Sequence, residues 1–109
     1  MRIHSVDFDH SVLSVRCSGV FGIGSEGNPS GILLTESIER WMLSHPGQHV
    51  EQLVIDYADV EYSWGDGPVS SVIPFIKRGV TKVRLIASQQ NLEPLQELVD
   101  GSDMRLGFA

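Results

Sequence analysis

Apolar and polar residues alternate in two segments near the start of the chain, Ile3–Phe8 and Val12–Cys17. This alternation predicts two strands, because successive side chains of a strand point to opposite faces. The residues between them, Asp9, His10 and Ser11, are predicted to form a turn. The first two strands are therefore expected to pair as a hairpin.

Helical spacing of apolar residues replaces this alternation further along the chain. The first predicted helix runs from Ile32 to Ser44, with an apolar face formed by Leu34, Ile38, Trp41 and Met42. The second covers Pro68–Arg78, where Pro74 removes one backbone hydrogen bond and predicts a kink. The third follows Asn91, a residue type that favours the cap position before a helix.

The other apolar segments predict three more strands. Leu53–Tyr57 is interrupted only by Asp56, a pattern expected of a central strand buried on both faces. Lys82–Ala87 and Met104–Phe108 alternate and are predicted as the last two strands. The order β-β-α-β-α-β-α-β predicts one α/β domain over residues 1–109, with a mixed, mainly parallel sheet of about four to five strands and three helices.

A glycine-rich segment, Gly22–Gly31, is predicted to be a loop of ten residues. Its first part, Gly22–Gly27, fits the pattern G-x-G-x-x-G of dinucleotide-binding sites. That pattern needs a helix that opens at the glycines, whereas residues 28–31 intervene before the predicted helix. The preceding strand is also predicted to belong to a hairpin. We therefore predict no cofactor.

Composition and charge narrow the possible partners. The chain carries 14 acidic and 8 basic residues, a net charge of −6, which disfavours nucleic acid or an anionic membrane as the main partner. No apolar run approaches the roughly 20 residues of a spanning helix, so no membrane insertion is expected. The first residues do not resemble a secretory signal, and the single Cys17 rules out an internal disulfide. We expect a cytoplasmic protein.

Residues for catalysis or metal binding are not grouped along the chain. The four histidines, His4, His10, His45 and His49, do not have the spacing of a zinc site. The chain contains neither a nucleophile elbow nor a phosphate-binding loop. We therefore predict no catalytic residue and no metal site.

One segment resembles a known motif. Asp56, Val60, Tyr62 and Gly67 fall in register with the sequence D-L-S-x-V-x-Y-I-D-S-S-G-L-G. This motif is typical of STAS domains, the family of sulfate transporter and anti-sigma factor antagonist domains, so the chain resembles a stand-alone anti-sigma factor antagonist. The order of strands and helices is also similar to that of the family. The phosphorylated serine of the family falls on Asp66.

The resemblance implies a non-catalytic regulatory or scaffolding module that acts by protein–protein contact. Its partner would be an anti-sigma factor or a kinase-like regulator. The implied partner-binding residues are Trp64, Gly65, Asp66, Gly67, Pro68, Ser70 and Ser71. Asp66 would replace a phosphoserine, which carries about −1.5 to −2 charges, with one permanent charge. Alternatively, Asp66 is an N-cap whose carboxylate accepts backbone N–H bonds.

Other features of this segment leave alternatives open. Trp64 and Gly65 replace the aspartate and first serine of the family, and Trp64 is expected either to be exposed or to fold over the sheet edge. At least one of Ser70 and Ser71 is expected to be exposed.

The family commonly adds a C-terminal helix beyond the position of Ala109, so an open sheet face or edge is expected here, which favours pairing with another chain, including a homodimer.

A second class of function remains open from the sequence. The STAS fold that the chain resembles is similar to domains that bind small ligands or lipids, so the resemblance also leaves this class open. The glycine-rich segment would then be a lid over an apolar pocket lined by Ile23, Ile32 and Leu33. Alternatively, the same segment is a surface connection without a ligand.

Overall fold

A computed structural model describes residues 1–102 and 105–109 and shows one mixed five-stranded sheet in the order β1-β2-β3-β4-β5. The first two strands pair antiparallel, and each later strand is parallel to the one before it. The strands are β1 (Arg2–Asp9), β2 (Val12–Val20), β3 (Gln52–Glu61), β4 (Lys82–Ile86) and β5 (Leu106–Phe108). The predicted α/β fold with a mainly parallel sheet is confirmed.

Helical segments connect the parallel strands. A 3-10 turn (Gly24–Gly27) and α1 (Asn28–Ser44) link β2 to β3, and α2 (Gly67–Ser70) and α3 (Ile73–Lys77) link β3 to β4. The last connection is α4 (Leu92–Asp100). The predicted hairpin turn is also present: His10 and Ser11 have φ of 49° and 65°, as a tight turn between twisted strands requires. Within the described ranges, no helix has the length and apolar composition needed to cross a bilayer.

The helices cover one face of the sheet. Each crossover steps in the same direction along the sheet, so right-handed connections return the helices to the same side. Leu53, Ile55 and Tyr57 of β3 face them and are fully buried, whereas Val54 and Asp56 on the other face are only half-buried. The prediction that this strand is buried on both faces is therefore wrong.

The first long helix begins four residues earlier than predicted. Pro29 lies in the first turn of α1, where its missing N–H costs no hydrogen bond. Gly31 lies inside the helix, where a Cβ would come within 3.8 Å of the Gly67 carbonyl oxygen. The predicted ten-residue loop is wrong because residues 24–27 form a 3-10 turn and residues 28–31 form the first turn of α1.

The second predicted helix is interrupted before Pro74. Ser71 and Val72 separate α2 from α3, and Pro74 lies in the first turn of α3. The predicted kink at Pro74 is therefore wrong in position, since the proline is placed at the start of a new helix. For the last predicted strand, Leu106–Phe108 is confirmed as β5, and Met104 lies outside the described residues.

Asn91 precedes α4, but its side chain does not cap that helix. Its amide nitrogen donates to the carbonyl oxygens of Tyr57 and Val60, each at 2.8 Å, and its Oδ1 accepts from the Ser88 N–H at 2.8 Å. Tyr57 lies within the segment where β3 shifts its register against β2, and Val60 lies just beyond it. The predicted side-chain cap is wrong because the buried Asn91 satisfies the β3 backbone instead.

Candidate functional site

The residues that resemble the STAS motif form a loop at the carboxyl end of β3, which we call the Trp64 loop (residues 62–66). The loop runs from the end of β3 to the start of α2. Tyr62 is a buried residue, and its partly buried hydroxyl donates a hydrogen bond to the Gly65 carbonyl within the loop. Burial, and next the Asp66 carboxylate, raise the pKa of Tyr62, so the hydroxyl stays protonated and remains a donor at neutral pH.

Phe21 packs against the residues at both ends of this loop. Its ring makes edge contacts with Tyr57 and Tyr62, at centroid distances of 6.1 and 6.0 Å. A Cβ at Gly67 would overlap the Phe21 ring, so only glycine fits at this position. The sequence reasoning missed Phe21, since it follows β2 and is distant from the loop along the chain.

Trp64 is exposed and is also held in place. Its side chain is 61% exposed, yet the indole edge lies on Gly24, where a Cβ would come within 2.8 Å of the ring. The Gly24 N–H donates to the Trp64 carbonyl at 3.4 Å, and Gly65, with φ of 121°, packs on the Gly24 backbone. Of the two predicted placements, the exposed one is confirmed.

Asp66 occupies the N-cap position of α2 through its backbone alone. Its carbonyl accepts from the N–H groups of Val69 and Ser70 at 3.0 and 2.8 Å, but its carboxylate makes no capping bond. The predicted side-chain cap is wrong because Asp66 has helical angles (φ −87°, ψ −2°), whereas a capping side chain needs an extended residue. Asp66 is exposed and follows Trp64 by two residues.

The other predicted residues divide between surface and interior. Ser70 is exposed, as expected for at least one of the serine pair. Ser71 is buried, and its hydroxyl donates to the carbonyl of the buried Pro68 at 3.3 Å. The exposed members of the predicted set are therefore Trp64, Asp66 and Ser70, of which Asp66 lines a cleft beside α4 and Ser70 lines a cleft between α1 and α2.

Two exposed apolar residues were not predicted as part of a contact surface, although Ile23 was named for the ligand pocket. Val20 ends β2 and is 56% exposed, and Ile23 follows three residues later and is 46% exposed. Since β2 and β3 are parallel, both residues lie at the same end of the sheet as Trp64. Together they place three exposed apolar side chains at this end, and an exposed apolar group of this kind is typical of an interaction surface.

The glycines of the pattern at Gly22–Gly27 lie where the chain packs closely on itself. Contrary to prediction, a helix follows it directly. β2 pairs with β1 in the predicted hairpin but also belongs to a parallel β-α-β unit with β3. A Cβ at Gly22 would overlap the Glu26 carbonyl, and Gly27 contacts the Phe21 ring. The sheet order also lacks the reversal at which dinucleotides bind in open α/β sheets. These contacts explain the glycines without a nucleotide.

Ionisable groups in the core are held neutral. Burial, and next the Asp56 carboxylate, raise the pKa of Cys17 from 9.0 to about 12, so its thiol is a poor nucleophile at neutral pH. Burial also raises the pKa of Tyr57. The Tyr57 hydroxyl lies near the Ser71 side chain without meeting hydrogen-bond geometry, and it has no partner elsewhere in the described residues.

Three of the four histidines contact other side chains, and His45 and His49 line the same small pocket. His4 contacts the Ser18 hydroxyl, His10 the Asp9 carboxylate at 2.9 Å, and His45 stacks on Trp41 with ring centroids 4.2 Å apart. Over residues 1–102 and 105–109, no three His, Cys, Asp or Glu side chains are grouped closely enough to hold a metal ion.

The apolar residues of the predicted ligand pocket do not converge. Ile32 lines a cleft of about 420 Å³ between α1 and α2, whereas Leu33 lines a groove of about 610 Å³ between α1 and β1. A different cleft, of about 710 Å³, lies between α2–α3 and α4 and is lined in part by Val69, Ile73 and Leu98. A pocket under the glycine-rich segment is therefore wrong, and the cleft beside α4 is the alternative place for a ligand.

Comparison of the chain with protein-family models, with curated proteins and with solved structures found no match.

Proposed function

We propose that this protein is a non-catalytic regulatory or scaffolding module that binds a protein partner through the Trp64 loop, similar to anti-sigma factor antagonists. The observation that carries the proposal is the exposed Trp64 side chain, fixed on Gly24 and followed by the exposed Asp66. Tryptophan is among the residues that contribute most to binding when a partner buries them.

The support beneath the loop favours binding. The Tyr62 hydroxyl bond, the Phe21–Gly67 contact and the packing of Gly65 on Gly24 hold the loop before a partner arrives. A loop that is already ordered loses less conformational freedom on association, so more of the contact energy appears as affinity.

Asp66 gives the surface one permanent negative charge. The partner expected from the motif is a cytoplasmic anti-sigma factor or kinase-like regulator whose contact surface places a basic residue opposite Asp66. Because an aspartate cannot be dephosphorylated, the module would stay in one state toward such a partner, whereas a serine at this position would be switched.

Affinity capture from the host with tagged protein tests this proposal. Wild type is compared with Trp64→Ala, and with Leu43→Ala as the control, because Leu43 is an exposed apolar residue on α1 (74% exposed) away from the loop. Mass spectrometry should show a regulator enriched by wild type and Leu43→Ala and lost with Trp64→Ala. Equal recovery with all three proteins contradicts the proposed surface.

The Asp66→Ser variant tests the proposed charge state. If the captured partner is a kinase of the expected type, it should phosphorylate this variant at residue 66 and leave wild type unmodified there. An inert Asp66→Ser protein in the presence of the partner kinase would contradict the idea of a fixed switch and would leave the binding surface to be judged by Trp64→Ala.

A second candidate function is the binding of a small ligand or lipid. It is favoured by the cleft of about 710 Å³ beside α4, whose volume lies within the range of ligand pockets, about 300–1,000 Å³. Native mass spectrometry of protein purified from the host should show an added mass that decreases in an Ile73→Glu variant. Unmodified protein mass alone would contradict this candidate.

A further inference from the structure

Strand β1 has an unpaired outer edge. It is hydrogen-bonded to β2 on one side, and no other described strand lies on its other side. An exposed edge of this kind can accept a strand from another chain. The groove of about 610 Å³ runs along the helix side of this edge and is lined by Ile3 and Val6 of β1 and by Leu33 and Trp41 of α1.

A bulge determines which face each β1 side chain occupies. The register with β2 shifts between Ile3 and Ser5, so His4 is the extra residue. Ile3, Val6 and Phe8 pair with the buried Cys17, Val15 and Leu13 and therefore face the helices. The opposite, open face carries His4, Ser5, Asp7 and Asp9. Arg2 pairs with Ser18 of the same face and also lines one end of the groove.

We propose that β1 pairs antiparallel with β1 of a second copy of this chain, about a two-fold axis at Val6. With Val6 opposite its own copy, Ser5 lies opposite Asp7, and His4 remains the extra residue in the bulge. Continuing past the bulge, Ile3 lies opposite Phe8, and Arg2 lies opposite Asp9. Every residue then faces a partner on its own side of the sheet, as strand pairing requires.

The charges of the open face favour this register. Two Arg2–Asp9 pairs form, one at each end, and opposite charges across strands are stabilising. Arg2 has no ion-pair partner within the described part of its own chain, and the contact of Asp9 with His10 is highly exposed and therefore weak.

Other registers are penalised by like charges. Moving the axis one residue toward the turn places Asp7 opposite Asp7, and a parallel arrangement places Arg2 beside Arg2. A bulge and charged residues protect an edge against unrelated strands. Here the same features leave one favourable partner, a second β1, whose apolar side chains extend the layer over Leu33 and Trp41.

Charge reversal in two separate variants tests both the pairing and its register. Arg2→Glu places a glutamate opposite Asp9, and Asp9→Arg places a second arginine opposite Arg2, so each variant alone has two repulsive contacts. In an equimolar mixture, a mixed dimer has one contact between the two native residues and one between the two substituted residues, and both contacts are attractive. The tag is placed at the C-terminus, because β1 starts at Arg2.

Sedimentation velocity over a wide concentration range gives the readout. Wild type should dimerise, each variant alone should dimerise about tenfold or more weakly, and the mixture should recover the wild-type Kd. Lys82→Glu and Glu97→Arg, exposed positions on β4 and α4, are the matched controls and should dimerise as wild type. A monomeric wild type, or a mixture no stronger than its components, overturns the proposal. Circular dichroism confirms that each variant is folded.

Discussion

The free energy of unfolding should change in opposite directions when Tyr57 and Tyr62, the two buried tyrosines that contact Phe21, lose their hydroxyls. Tyr57 is fully buried, and its hydroxyl has no hydrogen-bond partner in the described residues. Tyr62 is buried as well, but its hydroxyl donates to the Gly65 carbonyl. Tyrosine-to-phenylalanine substitution removes one oxygen in each case and keeps the ring, so the two variants form a matched pair.

The magnitudes follow from hydrogen-bond energetics. An unsatisfied buried polar group costs about 1–3 kcal/mol, so Tyr57→Phe is expected to raise the free energy of unfolding by about 1 kcal/mol. A satisfied hydrogen bond contributes about 1 kcal/mol, so Tyr62→Phe should lower the free energy of unfolding by about that amount. At about 4–8 °C per kcal/mol for a domain near this size, the two Tm values should differ by roughly 8–16 °C.

Urea unfolding followed by circular dichroism measures both variants against wild type. The expected result is a higher midpoint for Tyr57→Phe and a lower midpoint for Tyr62→Phe, with unchanged slopes. Equal destabilisation by both substitutions would refute the reasoning, since it would mean that the Tyr57 hydroxyl makes a hydrogen bond as valuable as that of Tyr62.

Three further predictions concern the support of the site and the core. Gly67→Ala should lower the free energy of unfolding by about 1–3 kcal/mol because its Cβ overlaps Phe21, whereas Gly47→Ala, which meets open space, should change it by less than about 0.5 kcal/mol in urea unfolding. Asn91→Ala should cost about 3 kcal/mol in the same assay, because two buried carbonyls lose their donor. Because burial raises the pKa of Cys17 from 9.0 to about 12, the neutral thiol contributes its full share to the free energy of unfolding below pH 9.0 and loses it as the pH rises toward about 12. In urea unfolding at increasing pH, the free energy of unfolding of Cys17→Ala should therefore fall less steeply than that of wild type.

The sequence predicted the elements whose signal is local. The β1–β2 hairpin and the apolar face of α1 follow from the spacing of apolar residues, and the mainly parallel sheet follows from the order of elements. The start of α1 was placed too late because Gly22–Gly31 was read as one glycine-rich loop, whereas Pro29 lies in the first turn of α1 and Gly31 lies inside the helix, in contact with Gly67. Whether a glycine ends a helix or lies within one depends on packing against neighbours that the local sequence does not show.

The local structure around Asp66 and Asn91 was predicted only in part. Asp66 lies at the start of α2 as expected, yet its φ and ψ keep its carboxylate from capping the helix. Asn91 was predicted to cap α4, but it binds β3 carbonyls more than thirty residues away in sequence. The exposure of Val20 and Ile23 likewise depends on where two strands end side by side, which no local pattern records.

The affinity of the captured partner for Trp64→Ala, measured by calorimetry beside wild type and Leu43→Ala, tests the central claim most directly. If the Trp64 loop is the contact surface, Trp64→Ala should weaken binding by about 30-fold or more, the loss of about 2 kcal/mol typical of a buried tryptophan at an interface. Leu43→Ala should bind as wild type. Unchanged affinity of a folded Trp64→Ala protein would contradict the account.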